Sequence, residues 1–163
     1  MKSVLISIRP EWADKILTGE KTMEVRKTRP RLETPFKCYI YATKCRDKIG
    51  WLRMRPGHGW QRIDGKIIAE FTCDRIDHMG IPYPAYQDLL DDKYLRESCV
   101  PYYTLHRWFG HGGDAYFWHI SDLKVYDEPK ELETLTALRE TKFGYEPNKL
   151  KRAPQSWCYV EEP

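Results

Sequence analysis

The sequence predicts an α+β or barrel-like fold of antiparallel strands with short helices inserted. Three observations point to it. Alternating or β-branched apolar segments recur as roughly six or seven strand candidates. Only about two to four short helical stretches separate them. The strand–helix–strand spacing that would build a doubly wound parallel sheet is missing.

Residues 2–8 are β-branched and apolar, which makes a first strand, and Arg9-Pro10 ends it. Pro10 has the fixed φ that suits a first helical position. Residues 11–17 then form a short helix with Trp12, Ala13, Ile16 and Leu17 on one face, and Glu11 and Asp14 in its first turns suit the helix dipole. Gly19 supplies the left-handed position after the last turn. A strand follows from Thr22. Alternation puts Met23 and Val25 on one face, and Thr22, Glu24 and Arg26 on the other. Lys21 sits at the turn-to-strand junction, where turn geometry leaves its face open.

Residues 27–35 are basic and carry Pro30 and Pro35, so they form a loop. Residues 38–43 alternate as a central strand. Residues 49–64 interleave arginines with tryptophans and glycines and read as a long, basic, aromatic loop. The longest strand signal is 65–77, with Ile67, Ala69, Phe71 and Cys73 on one face and Ile68, Glu70, Thr72 and Asp74 on the other. Residues 86–95 and 103–109 are helix candidates, and packing is the ordinary role for His106 and Trp108. Gly110-His111-Gly112-Gly113 is a turn that lacks the context and ending of a nucleotide-binding loop. Residues 115–120 and 123–126 are strand, with His119 expected as a hydrogen-bonded core histidine. Residues 132–140 are a polar helix candidate, 148–154 a basic linker, and 155–160 a closing strand.

At 163 residues, with 41% hydrophobic and 31% charged content, the chain is expected to form one domain over residues 1–163 of a soluble globular class. No apolar run reaches bilayer length, and the N-terminus is too short and polar for a secretory signal. Five scattered cysteines without a CxxC pair favour free thiols in a reducing cytoplasm. A zinc site from Cys38, Cys45 and a histidine lacks a tight ligand pair, so neither a metal nor another cofactor is expected. Net charge is only +3, but residues 1–62 hold 15 Lys and Arg against 6 Asp and Glu. That asymmetry suggests a polyanion-facing side, unless the halves interleave in the fold and mix their charges.

The residues Lys21, Glu24 and Arg26 admit two interpretations. One is an exposed edge strand with a surface ion pair contributing about 0–1 kcal/mol. The other is a cleft in which cations hold a phosphate or carbonyl and the carboxylate reads a donor. Arg29 and Arg31 in the following loop extend either a solvated surface or a phosphate contact. Arg53, Arg55 and Trp60 belong to the aromatic loop, which fits a single-strand nucleic-acid contact as well as an ordinary long hairpin loop.

The pattern Gly19-x-Lys21-x-x-Glu24-x-Arg26 directly after a strand and short helix resembles the activating-signal-cointegrator homology (ASCH) domain of the PUA-like superfamily. Ile8-Arg9-Pro10, the strand from Trp118 to Leu123, and the ending from Pro154 to Val160 resemble the small bacterial and prophage members. The resemblance implies a small mixed or antiparallel β-barrel with short flanking helices. It also implies a cleft holding the motif residues, and RNA or a modified nucleoside as partner. Some members remove the N4-acetyl group of acetylcytidine, and another is described as cleaving RNA. In the deacetylase type a threonine stands where this chain has Glu24, while Lys21 and Arg26 match. That type also uses a glutamate after the long strand, for which Glu97 is the nearest candidate here; Glu70, on the strand itself, is the other glutamate that could join the site.

The expected binding set is Lys21, Glu24 and Arg26 with Arg9, Trp12, Gln155 and Trp157, in which Trp12 or Trp157 stacks on a base. If the chain is an enzyme, Lys21 is central and Ser156 or Tyr159 assists. Glu24 beside Lys21 favours a permanent cation over a base, which ranks binding above catalysis. A third alternative is a protein-interaction domain that uses the loop at 51–60.

Overall fold

A strand covered on both faces reads as a continuous apolar run, and residues 3–8 form such a run. In the computed structural model they are β1 (Ser3–Ile8), buried along its whole length. The structure describes residues 1–46, 52–55, 57 and 59–161, with the backbone alone at 52–55. After β1 come α1 (Pro10–Leu17), β2 (Met23–Arg26), β3 (Phe36–Ala42), β4 (Leu52–Arg55), β5 (Gly59–Arg62) and β6 (Lys66–Gly80). Then come α2 (Asp92–Ser98), α3 (Tyr102–Phe109), β7 (Asp114–Lys130), β8 (Thr136–Thr141), β9 (Gly144–Lys149) and β10 (Trp157–Glu161).

Eight strands form one mixed sheet in the order β2-β7-β6-β3-β1-β10-β8-β9. β1 pairs parallel with β3 and antiparallel with β10. The α+β class expected from the sequence is therefore present. Barrel closure by strand pairing is not: among the described residues the ladder starts at β2 and ends at β9. The sheet nevertheless curls: β2 and β1 stand four places apart in the ladder, yet the Arg26 side chain on β2 reaches the Ser7 carbonyl on β1 at 2.7 Å.

Alternation along β1 divides the core. Val4, Ile6 and Ile8 pack with Ala13 and Ile16 of α1 and with Trp118. Leu5 faces the other way, onto Tyr39, Tyr41, Leu132 and Val160. A further cluster joins Met23 and Val25 of β2 to Phe117 and to Tyr94, Tyr102 and Leu105 of the α2–α3 layer. The face of β2 opposite Met23 and Val25 carries Glu24 and Arg26.

Four expectations change. Within 49–64, β4 and β5 pair as a two-stranded hairpin; Trp51 and His58 lie outside the described residues. The helix expected at 86–95 is broken by extended Leu90, between a 3-10 turn at Pro84–Leu89 and α2, whose first turn is capped by Asp91 accepting from the Lys93 amide. The polar helix expected at 132–140 is a short 3-10 turn followed by β8, because β9 and β10 satisfy its backbone groups. On β6 a register shift between Ile67 and Ala69 reverses the face of Ile67 relative to its neighbours. Ile68 therefore joins Ala69, Phe71 and Cys73 in the main core, and Ile67 packs on the opposite side.

The turn after α3 brings the chain back tightly against the helix end. A Cβ on Gly113 would lie 1.9 Å from the Phe109 carbonyl oxygen. Gly113→Ala is therefore expected to cost about 1–3 kcal/mol, read as a lower urea midpoint, with little change expected from Ala at exposed Gly80, where a Cβ meets nothing closer than 3.8 Å.

Candidate functional site

The short β2 strand and the helices beside it bring the motif together. The Lys21 amide donates to the Lys15 carbonyl at 2.9 Å, and the Thr22 amide donates to the Glu97 carbonyl at 2.8 Å. These bonds seat the junction between α1 and α2. Lys21 is only 2% exposed. Its Nζ donates to the Ser98 carbonyl at 2.7 Å and pairs with Glu24 Oε2 at 3.2 Å. Trp12 lies 5.5 Å from the same nitrogen, within cation–π range. Glu24 Oε1 pairs with Arg26 Nη2 at 2.9 Å, so one carboxylate bridges both cations. Arg26 continues outward: Nη2 donates to the Ser7 carbonyl, and Nη1 donates to Ser156 Oγ at 3.2 Å. Arg26 Nε is buried without a protein partner.

Beside this chain of charges lies a cavity of about 680 Å³, within the range of small-molecule sites. Its polar lining includes Glu24, Arg26, Ser7, Ser156 and Gln155. Its aromatic lining is Trp12, Trp108 and Phe109, with Trp12 and Trp108 packed edge to face at 6.1 Å. Arg9, Lys27, Thr28 and Thr43 line it too. The arrangement combines a paired acceptor and donor with flat apolar rings, which suits a planar polar heterocycle.

Of the residues singled out from the sequence, Glu24, Arg26, Arg9, Trp12, Gln155 and Ser156 come together around this cavity. Lys21 lies behind Glu24 and is not among the lining residues. Trp157 stands outside the cavity lining, its Nε1 donating to Thr28 Oγ1 at 3.0 Å and its ring packed on Trp118 and Tyr159. Tyr159 is buried, and its hydroxyl accepts from the Arg31 amide at 2.7 Å. Arg29 donates to the Pro30 and Leu32 carbonyls, and exposed Arg31 lies 3.8 Å from Glu140. Arg53 and Arg55 fall on β4, where side chains are outside the described residues, and Trp60 on β5 is 65% exposed. Glu70 pairs with Lys37 and accepts from the Tyr126 hydroxyl, and Glu97 contributes its backbone at β2. Neither glutamate lines the cavity.

Trp108, which the sequence pattern assigns to packing, lines the cavity, as do Phe109, Thr43 and Ser7, which that pattern does not mark. The available signal was the Gly110–Gly113 turn, which ends α3 and leaves its last aromatic residues beside whatever it packs on. His119 is hydrogen-bonded as expected, with Nε2 2.8 Å from Asp77 Oδ2, but it is half-buried rather than part of the core.

Cysteine chemistry stays apart from this cavity. Cys38 and Cys73 are core residues, and burial pushes both thiols up, Cys73 to about 12. Cys38 therefore suits packing rather than the zinc site considered from the sequence. Among the described residues no group of three or more His, Cys, Asp and Glu is arranged to hold a metal ion. No helix of the described residues is long and apolar enough to cross a membrane.

The family model of the ASCH domain matches residues 6–151. The crystal structure of an ASCH protein from Zymomonas mobilis is similar at TM-score 0.58 and 20% identity, over 98% of this chain and 87% of that one. Structures of two mutants of the Zymomonas mobilis protein are similar as well. A tyrosine-to-phenylalanine mutant gives TM-score 0.59 and 19% identity over 99% of this chain and 91% of that one. A serine-to-alanine mutant gives 0.58 and 20%, over 98% and 88%. At such identity the likeness carries the fold alone. No protein of curated function matches this chain.

Proposed function

We propose that this chain, which belongs to the ASCH domain family, binds RNA or a modified nucleoside in the cavity between β2 and the helices α1 and α3. The observation that carries the reading is the Glu24–Arg26 pair lining one cavity with the Trp12–Trp108 aromatic corner. A base edge presents amino or imino donors beside carbonyl or ring-nitrogen acceptors. A carboxylate takes the first and a guanidinium serves the second. Arg26 Nη1 makes one protein hydrogen bond and keeps a second hydrogen for a ligand. Stacking on an aromatic ring contributes about 1–3 kcal/mol per base. Lys21 holds Glu24 in place from behind, because its ammonium spends two contacts on Ser98 and Glu24 inside the protein.

Titration of the protein's tryptophan fluorescence with nucleosides and short single-stranded RNA tests this. Trp12→Ala should weaken binding by about tenfold or more while leaving the circular dichroism spectrum unchanged. RNA affinity should fall with salt in proportion to the phosphates contacted. Unchanged affinity in Trp12→Ala would place the ligand elsewhere.

A hydrolytic reading has one observation of its own: the Ser156 hydroxyl lines the same cavity and is held by Arg26. Chromatography of the same mixtures, with N4-acetylcytidine and RNA as substrates, decides it. Intact ligand after prolonged incubation leaves binding alone.

A further inference from the structure

A second cavity of about 420 Å³ lies on the far side of Arg9 and Thr43, which line both. We infer that it takes the phosphate of the ligand whose base occupies the first cavity, so that the site is built for a nucleotide or an RNA phosphodiester rather than a free nucleoside. This inference rests on the nucleoside reading above and adds the class of ligand.

Arg9, Lys44 and Arg46 line this cavity with a single carboxylate, Glu11, which leaves two positive charges in excess. Elsewhere several cations of this chain have acidic partners: Lys15 has Glu20, Arg62 has Asp64, Lys66 has Glu131 and Arg75 has Asp77. Among the described residues no carboxylate pairs with Arg9, Lys44 or Arg46. Three like charges gathered around one concavity repel one another, and a bound anion relieves that repulsion. A phosphate fits best. Arginine forks match its oxygens bidentately, and a lysine supplies a point charge.

The segment that carries two of the cations is fixed in place. The Thr43 amide donates to the Ile8 carbonyl at 2.9 Å, and the Cys45 amide donates to Asp64 Oδ2 at 2.8 Å. Asp64 is buried and also accepts from Arg62. The Lys44 stem lies over Gly65, where any Cβ would approach Lys44 Cγ to 3.0 Å. The cationic wall is thus set by bonds to the sheet, before any ligand arrives.

The test compares common ribonucleosides with their 3′- and 5′-monophosphates, a short single-stranded RNA and inorganic phosphate, by calorimetry at low fixed ionic strength. At least one phosphorylated form should bind about tenfold or more tightly than its nucleoside, the scale of one charged hydrogen bond. The Lys44→Glu/Arg46→Glu double variant should erase that gain and leave nucleoside affinity as it was. Both side chains are exposed, and a melting curve confirms the fold. Inorganic phosphate should compete with the nucleotide and not with the nucleoside. A gain with the monophosphates assigns the site to a terminal phosphate, and a gain with RNA alone assigns it to a phosphodiester. Nucleoside binding with no gain from any phosphate, or a gain that survives in the double variant, overturns this inference and leaves the nucleoside reading standing. If nothing binds, both fall together.

Discussion

Glu24→Ala is expected to destabilise the fold by about 3–5 kcal/mol, the cost of removing one partner from a buried ion pair. Glu24 is 7% exposed and bridges Lys21 Nζ at 3.2 Å and Arg26 Nη2 at 2.9 Å. Without it, two cations face each other with no counter-charge. Lys21, at 2% exposure, has no route to water. Lys21 would keep only the Ser98 carbonyl, and Arg26 only the Ser7 carbonyl and the Ser156 hydroxyl. Lys21→Met should cost less, about 1–3 kcal/mol, because Glu24 keeps Arg26 on Oε1, while its Oε2 and the Ser98 carbonyl lose the ammonium. The ranking is the informative part. It separates a charge triad held by its central carboxylate from two independent pairs. Urea unfolding of the two variants measures it. A Glu24→Ala protein within 1 kcal/mol of the parent would mean that water reaches the triad and that it is a surface pair after all.

Much of this arrangement is legible in the chain, for identifiable reasons. β1, β3 and the first half of β6 are short runs of apolar or alternating residues, and burial on one or both faces imposes those patterns. Pro10 and Gly19 mark the two ends of the α1 region, since one fixes φ at the start and the other accepts φ +79 after the last turn. The shared face of Glu24 and Arg26 follows from strand alternation alone. β8 and β9 are different. Thr136, Arg139, Glu140 and Glu146 carry no apolar rhythm, so only the ladder between the two strands decides their conformation.

The burial of Lys21 was equally hidden. Its position after a turn leaves its direction open, and what closes over it is Ser98, 77 residues further on. Trp108 of α3 meets Trp12 of α1 through tertiary packing, and Arg9 meets Lys44 and Arg46 because the parallel pairing of β1 with β3 sets the ends of those strands side by side. Local pattern shows which residues carry charge or rings. Tertiary packing decides which of them share a cavity.

Arg26→Lys should be about as damaging as Glu24→Ala, although it conserves charge. The guanidinium reaches Glu24, Ser7 and Ser156 at once, from two separate nitrogens. A lysine ends in one compact ammonium on a flexible stem and cannot reproduce that fork. At about 1.5–3 kcal/mol for each charged hydrogen bond, losing the Ser7 and Ser156 contacts costs about 3–6 kcal/mol. The location makes the loss structural as well as local. β2 stands at the end of the ladder, and no backbone pairing joins it to β1 or β10. Among the described residues, Arg26 carries side-chain hydrogen bonds across that gap, to Ser7 and Ser156. Arg26→Lys should therefore speed hydrogen exchange at the β2 amides, which pair only with β7 on one side. Ligand affinity should drop together with it, because Glu24 and Ser156 would each lose the group that aims them into the cavity. If affinity fell while β2 exchange stayed at the parental rate, Arg26 would be a ligand contact only, and the curl of the sheet would owe its shape to packing beneath α1.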